Sequence, residues 1–303
     1  MRYKFKFEPY KHQLDALTKA WNKEYFAFFM DMGTGKSKVL IDNIGILYDK
    51  GELDSALIIA PKGVYHNWTR KELPTHLPEH IQVDIVTWSP EKTQKKAKEL
   101  AVLNQVTDTL VIFVMNVEAL STKRGVAIAD KFLLTHRAML AVDESTTIKS
   151  RTASRTKNLM KLGKLASYRR ILTGSPVTHS PLDLYTQCTF LKEESLGQSS
   201  FWTFQNRYAK MVRRTLGSHS FNQITGYQNL EELNGIIEPY SFRVRKEDCL
   251  DLPDKVYIKR SVELTEEQKL LYMQLKSSAM AFIKEQGQIT AQTVLTQIIR
   301  LQQ

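Results

Sequence analysis

The run Tyr25–Met30, YFAFFM, has no charged position along its length. A strand of that composition is buried on both faces, which restricts it to the interior of a sheet with helices on either side. Gly33 and Gly35 follow, and from Lys36 onward Leu40, Ile41, Ile44, Leu47 and Tyr48 recur at three- and four-residue spacing. The segment reads as buried strand, glycine loop and helix N-terminus, with the helix over 37–48. Further apolar runs at 56–60, 81–88, 110–115, 139–142 and 170–173 alternate with helical stretches at 64–73, 91–102 and 153–164. This rhythm predicts an α/β chain, a parallel sheet with helices on both faces. Ligands of such sheets bind at the carboxyl ends of the strands.

Three of those strand ends carry chemistry. In the first, glycine lets backbone N–H groups approach an anion closely, and the helix N-terminus favours negative charge. The candidates there are Met32, Gly33, Thr34, Gly35, Lys36 and Ser37, with Lys36 reaching the β- and γ-phosphates and Ser37 ligating magnesium. The strict spacing G-x-x-x-x-G-K-[ST] has Met30 where its first glycine belongs, so taken alone an ordinary glycine-rich turn stays open. In the second, the run AMLAV ends at Asp143-Glu144. Adjacent carboxylates ending a buried strand are costly unless they have a partner or a task. Asp143 suits magnesium held through water, and Glu144 suits orienting and deprotonating an attacking water. In the third, ILTGSP, the short groups of Thr173, Gly174 and Ser175 suit sensing the γ-phosphate, although alone they are ordinary turn chemistry.

In this order the three elements resemble the helicase superfamily 2 core, and most closely its Swi/Snf-type branch of DNA-dependent ATPases. That branch tolerates a non-glycine residue at the position of Met30. The resemblance implies a RecA-like P-loop lobe using ATP and Mg2+. It extends to PYKHQ at 9–13, which makes Gln13 the adenine reader, and to 57–72 and 111–120, which resemble segments touching nucleic-acid backbone. Residues 148–150 (IKS) resemble the Ile-Lys-Asn that follows the acidic box. Residues 242–253 (FRVRKEDCLDLP) and 264–272 (LTEEQKLLY) resemble the branch's run between its two lobes. Two departures stand out: Ser175 replaces a threonine, and His179 stands near the position of an asparagine. The resemblance divides the chain into an ATP-binding lobe over 1–190, a small helical insertion over 191–240, and the end of the lobe with a connector over 241–303. It also implies a second RecA-like lobe with an arginine finger. The stretch 294–303 shows no start of that lobe, so a piece of a longer protein, hydrolysing poorly by itself, is expected.

Lys plus Arg number 43 against 32 acids, a formal +11 with pI near 9.4. That excess favours a polyanion. Double-stranded DNA is the foremost partner, with single-stranded DNA or RNA as alternatives. The candidate phosphate contacts are Lys62, Arg70, Lys123, Lys149 and Arg151. In the insertion, Phe201, Trp202, Phe204, Tyr208 and Met211 read as a small satellite core, and 216–227 as turn-rich. Arg207, Lys210, Arg213 and Arg214 keep a DNA-facing role open there. No apolar run approaches membrane-spanning length, and the N-terminus lacks the apolar centre of a signal peptide. Two cysteines do not make a metal cluster, and His76 and His80, set among prolines, read as loop residues. The compact chain favours a cytoplasmic protein of bacterial or viral source, or a nuclear one if eukaryotic. The leading function is a translocase on duplex DNA. A strand-separating helicase and a non-hydrolysing ATP-gated module are the alternatives, and intact Lys36, Asp143 and Glu144 count against the latter.

Overall fold

The computed structural model describes residues 3–249, apart from 92, 106–107 and 217–218, together with 258–259, 261 and 263–285. The chain divides into two units, Met1–Asp251 and Leu252–Gln303. Residues 250–253 and 294–303, to which the sequence assigns connector roles, lie outside the described residues.

The first unit is built on seven parallel strands. These are β1 (Tyr25–Met30), β2 (Ser55–Ala60), β3 (Val83–Thr87), β4 (Leu110–Asn116), β5 (Ala138–Asp143), β6 (Tyr168–Leu172) and β9 (Ser241–Val244), while β7 (Ala209–Leu216) and β8 (His219–Tyr227) form a separate antiparallel ribbon. The sheet order is β3-β4-β2-β5-β6-β1-β9. The helices are α1 (Lys11–Ala20), α2 (Lys36–Asp49), the short turns α3 (Tyr65–Asn67) and α4 (Leu73–His76), α5 (Gln94–Ala101), α6 (Lys123–Thr135), α7 (Ser154–Gly163), α8 (Asp183–Leu191), α9 (Phe201–Tyr208), α10 (Leu230–Ile237) and α11 (Lys246–Cys249). The second unit contributes α12 (Glu266–Glu285).

Both faces of the sheet are buried, as the unbroken apolar runs require. In β1, Phe26, Phe28 and Met30 join the core that includes Leu40, Ile41 and Ile44 of α2, whereas Ala27 and Phe29 face the opposite core with Phe132, Leu159 and Phe190. The strand order then does the functional work. Because β6 lies between β5 and β1, the glycine loop, the acidic pair and the Thr-Gly-Ser turn emerge from three adjacent strands. At the strand entrances, fully buried Arg170 of β6 donates to Asn43 Oδ1 (2.8 Å) and to the carbonyls of Ala20 (3.2 Å), Glu24 (3.2 Å) and Arg169 (2.9 Å). Burial draws its guanidinium down to about 9, still above neutrality, so a cation held by dipoles ties β6 to α1 and α2.

Three expectations are corrected. The insertion is not purely helical: α9 and α10 flank the ribbon, and 216–227, expected to be turn-rich, supplies β8. With polar side chains on both its faces, the ribbon has no buried side to impose a readable alternation. The helix expected over 64–73 is broken into α3, a π-helical turn Trp68–Glu72 and α4, with Pro74 in the first turn of α4. His76 closes α4 rather than lying in a loop, and His80 pairs with Asp49 at 3.0 Å. In addition, Ser241–Val244 enters the sheet as an edge strand beside β1.

Candidate functional site

Met30 is a fully buried strand residue paired with Val244, so the turn begins after it and glycine is not needed there. The turn itself is made by Gly33 and Gly35, at φ +84° and +87°, in the left-handed region that side chains disfavour. Gly35 is the N-cap of α2. Behind it sits Gln13, only 4% exposed, which donates from Nε2 to the Thr34 carbonyl (3.1 Å) and accepts the Tyr10 N–H at Oε1 (3.1 Å). A Cβ at position 35 would lie 2.2 Å from that Nε2. His12 meets the same carbonyl at 2.8 Å, and since a carbonyl only accepts, the ring nitrogen is the donor. Thr34 is buried, its hydroxyl donating to the Asp31 carbonyl at 2.7 Å, whereas Met32 is 73% exposed at the mouth.

Opposite the loop, Asp143 ends β5. Trp68 Nε1 donates to its Oδ2 (2.9 Å) and the Glu144 N–H to its Oδ1 (3.0 Å). Burial pushes the Asp143 carboxyl above its ordinary range, with the Trp68 hydrogen bond and the Lys36 charge pulling the other way. Glu144 has left-handed backbone, φ 49°, a conformation that costs about 1–3 kcal/mol and persists where surroundings over-determine it. Its side chain meets Lys36, with Nζ to Oε1 at 3.4 Å, and accepts Thr173 Oγ1 at Oε2 (3.3 Å). The glycine-loop lysine and the acidic pair therefore face each other across a cleft of about 510 Å³. Met32, Gly33, Gly35, Lys36 and Ser37 line one side and Asp143 and Glu144 the other; Trp68, Glu72 and His76 form the wall.

The cleft fits a magnesium nucleotide. Ser37 and Asp143 present hard oxygen donors, few enough to leave room for waters and phosphate oxygens. His76 on the wall has a buried Nδ1 with no hydrogen-bond partner among the described residues. A larger hollow of about 710 Å³, lined by Phe29, Val177, Leu184 and Phe242, lacks a glycine loop at a helix N-terminus. Chemistry rather than size selects the smaller cleft.

The third turn closes the site. A Cβ on Gly174 would come within 3.3–3.4 Å of the Asp31–Met32 backbone and the Met30 carbonyl, so glycine permits the turn to touch the phosphate loop. The Ser175 N–H donates to Thr173 Oγ1 (3.2 Å). Beneath, a buried pair links the two strand ends. Ser145 Oγ donates to Gln187 Oε1 (2.6 Å), and Gln187 Nε2 donates to the carbonyls of Pro176 (2.8 Å) and Asp183 (2.9 Å). Glu144, Thr173, Pro176, Gln187 and Ser145 thus lie on one closed circuit of hydrogen bonds and chain. Sequence reading missed Trp68, His12 and Gln187. An amide at Gln187, among the core positions Leu184, Cys188 and Leu191 of α8, was the available signal for the last.

The cationic candidates separate into two groups. Lys62, Arg70 and Lys123 are exposed, and Lys123 shares a groove between α6 and α7 with Lys157, Lys161 and Asp130. Lys149 is held by Thr178 Oγ1 (2.6 Å), and the Arg151 guanidinium lies over the rings of Phe201 (4.7 Å) and Trp202 (5.0 Å). Among the described residues no helix is long and apolar enough to cross a membrane.

The SNF2-related domain matches residues 19–303. The DNA annealing helicase and endonuclease ZRANB3 of Bos taurus is 28% identical over 251 residues, 80% of this chain and 21% of that protein. The chromatin remodeling factor mit1 of Schizosaccharomyces pombe is 25% identical over 261 residues, 84% of this chain and 16% of that protein. A solved structure, the Sulfolobus solfataricus SWI2/SNF2 ATPase core in complex with dsDNA, shares the fold with a TM-score of 0.62 at 22% identity, over 99% of this chain and 59% of that one. The chain thus spans about a fifth of the length of these curated relatives.

Proposed function

The chain belongs to the SNF2-related domain family, and from that premise we propose that it is the nucleotide-binding lobe of an ATP-driven motor that moves along double-stranded DNA. The observation that carries the reading is the approach of Lys36 to Glu144 at 3.4 Å across a cleft that the glycine loop opens. Lys36 and the N–H groups at the start of α2 bind the β- and γ-phosphates. Ser37 and Asp143 would hold magnesium, which when bound would supply charge neutralisation of the phosphates. Glu144 orients the attacking water and accepts its proton, and Thr173 holds the carboxylate for that task. Gln13 is assigned to the adenine end, where an incoming base exchanges with the Thr34 carbonyl for its amide.

A second RecA-like lobe supplies the arginine that stabilises transferring charge, so this lobe by itself binds nucleotide weakly and turns it over slowly. Lys62, Arg70, Lys123, Lys149 and Arg151 are the proposed phosphate grips on DNA, and the wider excess of cations supports a polyanion partner. The structural relative was solved with duplex DNA, which favours duplex over single strands or RNA. The motor acts in the cytoplasm if its source is bacterial or viral, and in the nucleus if it is eukaryotic.

Glu144→Gln in the full-length protein tests the assignment. It retains ATP affinity and loses duplex-stimulated turnover by about a hundredfold or more; unchanged turnover removes Glu144 from the chemistry. Strand displacement by the same protein would replace translocation with unwinding.

A further inference from the structure

We propose that the β7–β8 ribbon is a second duplex-binding element, gripping phosphates apart from the cations along the sheet rim. The proposal rests on DNA as the partner, and the test below separates the two.

Residues 209–227 contain Lys210, Arg213, Arg214 and His219 and not one Asp or Glu, so nineteen residues hold three of the chain's net eleven positive charges. The two strands pair only with each other. Their register sets Val212 opposite Gln223 and Arg214 opposite Phe221 on one face, and Arg213 opposite Asn222 and Met211 opposite Ile224 on the other. Each face therefore carries one arginine; the face of Val212, Arg214, Phe221 and Gln223 is open, and on the other Arg213 and Asn222 are exposed while Met211 and Ile224 are half-buried. Val212 is 44% and Phe221 51% exposed, and Lys210, Arg213, Arg214 and Gln223 are exposed with them.

The neighbouring cation shows what a structural arginine looks like here. Arg207, at the end of α9, forks onto both carboxylate oxygens of Glu232 in α10. Buried Tyr208 donates to the same carboxylate at 2.9 Å, and Asn229 donates to the Arg207 carbonyl at 2.9 Å. The root of the ribbon is thus fixed, and its cations are not used to fix it. Lys210 and Arg213 form no ion pair among the described residues, and Arg214 bonds only to Gln223 (3.2 Å). The other end of α9 is seated on the lobe, with Phe201 and Trp202 under Arg151 and Tyr185 of α8 against Phe201. At 1.5 Å per residue, α9 sets the start of the ribbon about 12 Å from that seat.

A two-stranded ribbon is marginal in water by itself, and one exposing Phe221 and Val212 gains from a partner. That partner must offer anions beside apolar surface. Duplex DNA does so: its major groove is about 12 Å wide, admits a two-stranded ribbon, and is bordered by phosphates. An acidic protein surface offers the anions without that shape.

The test measures duplex-DNA affinity of the full-length protein against salt for three forms. These are the unaltered protein, Lys210→Gln/Arg213→Gln/Arg214→Gln, and the rim variant Lys123→Gln/Lys157→Gln/Lys161→Gln. Each phosphate contact contributes about 0.9 to the slope of log affinity on log salt. The ribbon variant is expected to lose about 2 to 3 from that slope with ATP affinity unchanged, and the rim variant to lose its share separately. A ribbon variant with the unaltered slope, while the rim variant weakens, overturns the ribbon proposal and leaves DNA as partner. No DNA binding by the unaltered protein overturns both.

Discussion

The cleft at the strand ends and the cationic ribbon use charge in opposite ways. In the cleft the charges at the strand ends are answered: Lys36 by Glu144, Glu144 also by Thr173, Asp143 by Trp68 and by the Glu144 N–H. The groups are mostly buried, so geometry is set before any ligand arrives, as suits electrostatic preorganisation. On the ribbon the cations lie exposed with almost nothing answering them. Such charges are screened by salt and act on a large, mobile anion. In the proposed motor, one region holds a small ligand in register and the other a long polymer without fixing its position.

Substitutions probe the two sides of this contrast, from the strongest effect down. Gly35→Ala strikes the cleft hardest, because it puts a side chain at φ +87° and sets a Cβ against Gln13. We expect a loss of about 2–3 kcal/mol of stability by denaturant unfolding, together with at least a tenfold fall in nucleotide affinity by titration. Arg170→Leu removes the buried guanidinium and leaves Asn43 and three carbonyls without their donor. A fall of about 3 kcal/mol in stability, with the salt slope for DNA intact, would show that core cations and ribbon cations serve separate ends. Gln187→Leu is milder. It frees the acidic strand end from the Thr-Gly-Ser turn, and turnover should fall about tenfold while nucleotide affinity changes little. Adding Ser145→Ala should then cost little more, since the two groups act as one buried pair; additive losses would contradict that coupling. Phe221→Ser on the ribbon should lower duplex affinity by about threefold to tenfold, since the exposed ring is part of the surface offered to DNA, and change stability by under about 0.5 kcal/mol, because that ring is half exposed in the free protein.

The same contrast governs what could be read from sequence. The glycine loop between strand and helix was legible because glycine, lysine and hydroxyl are consecutive, and the flanking strand and helix declare themselves by burial pattern. Asp143 and Glu144 were legible because two carboxylates end an apolar run. Trp68 was not, since its reach to Asp143 depends on a π-helical turn and on packing across the sheet. Gln187 stayed hidden because its partners, Ser145 and Pro176, lie on other elements. Strand β9 is four residues long and includes Arg243, too short and mixed to show a period. The ribbon failed for a different reason: with neither face buried, hydrophobic alternation had nothing to record.

The central claim is that Lys36 and the acidic pair grip opposite sides of one magnesium nucleotide. Calorimetric titration of a non-hydrolysable ATP analogue, with and without magnesium, into the full-length protein and its Lys36→Ala variant tests it most directly. The account predicts magnesium-dependent binding that the variant weakens by at least tenfold. Equal affinity for the two proteins would contradict it.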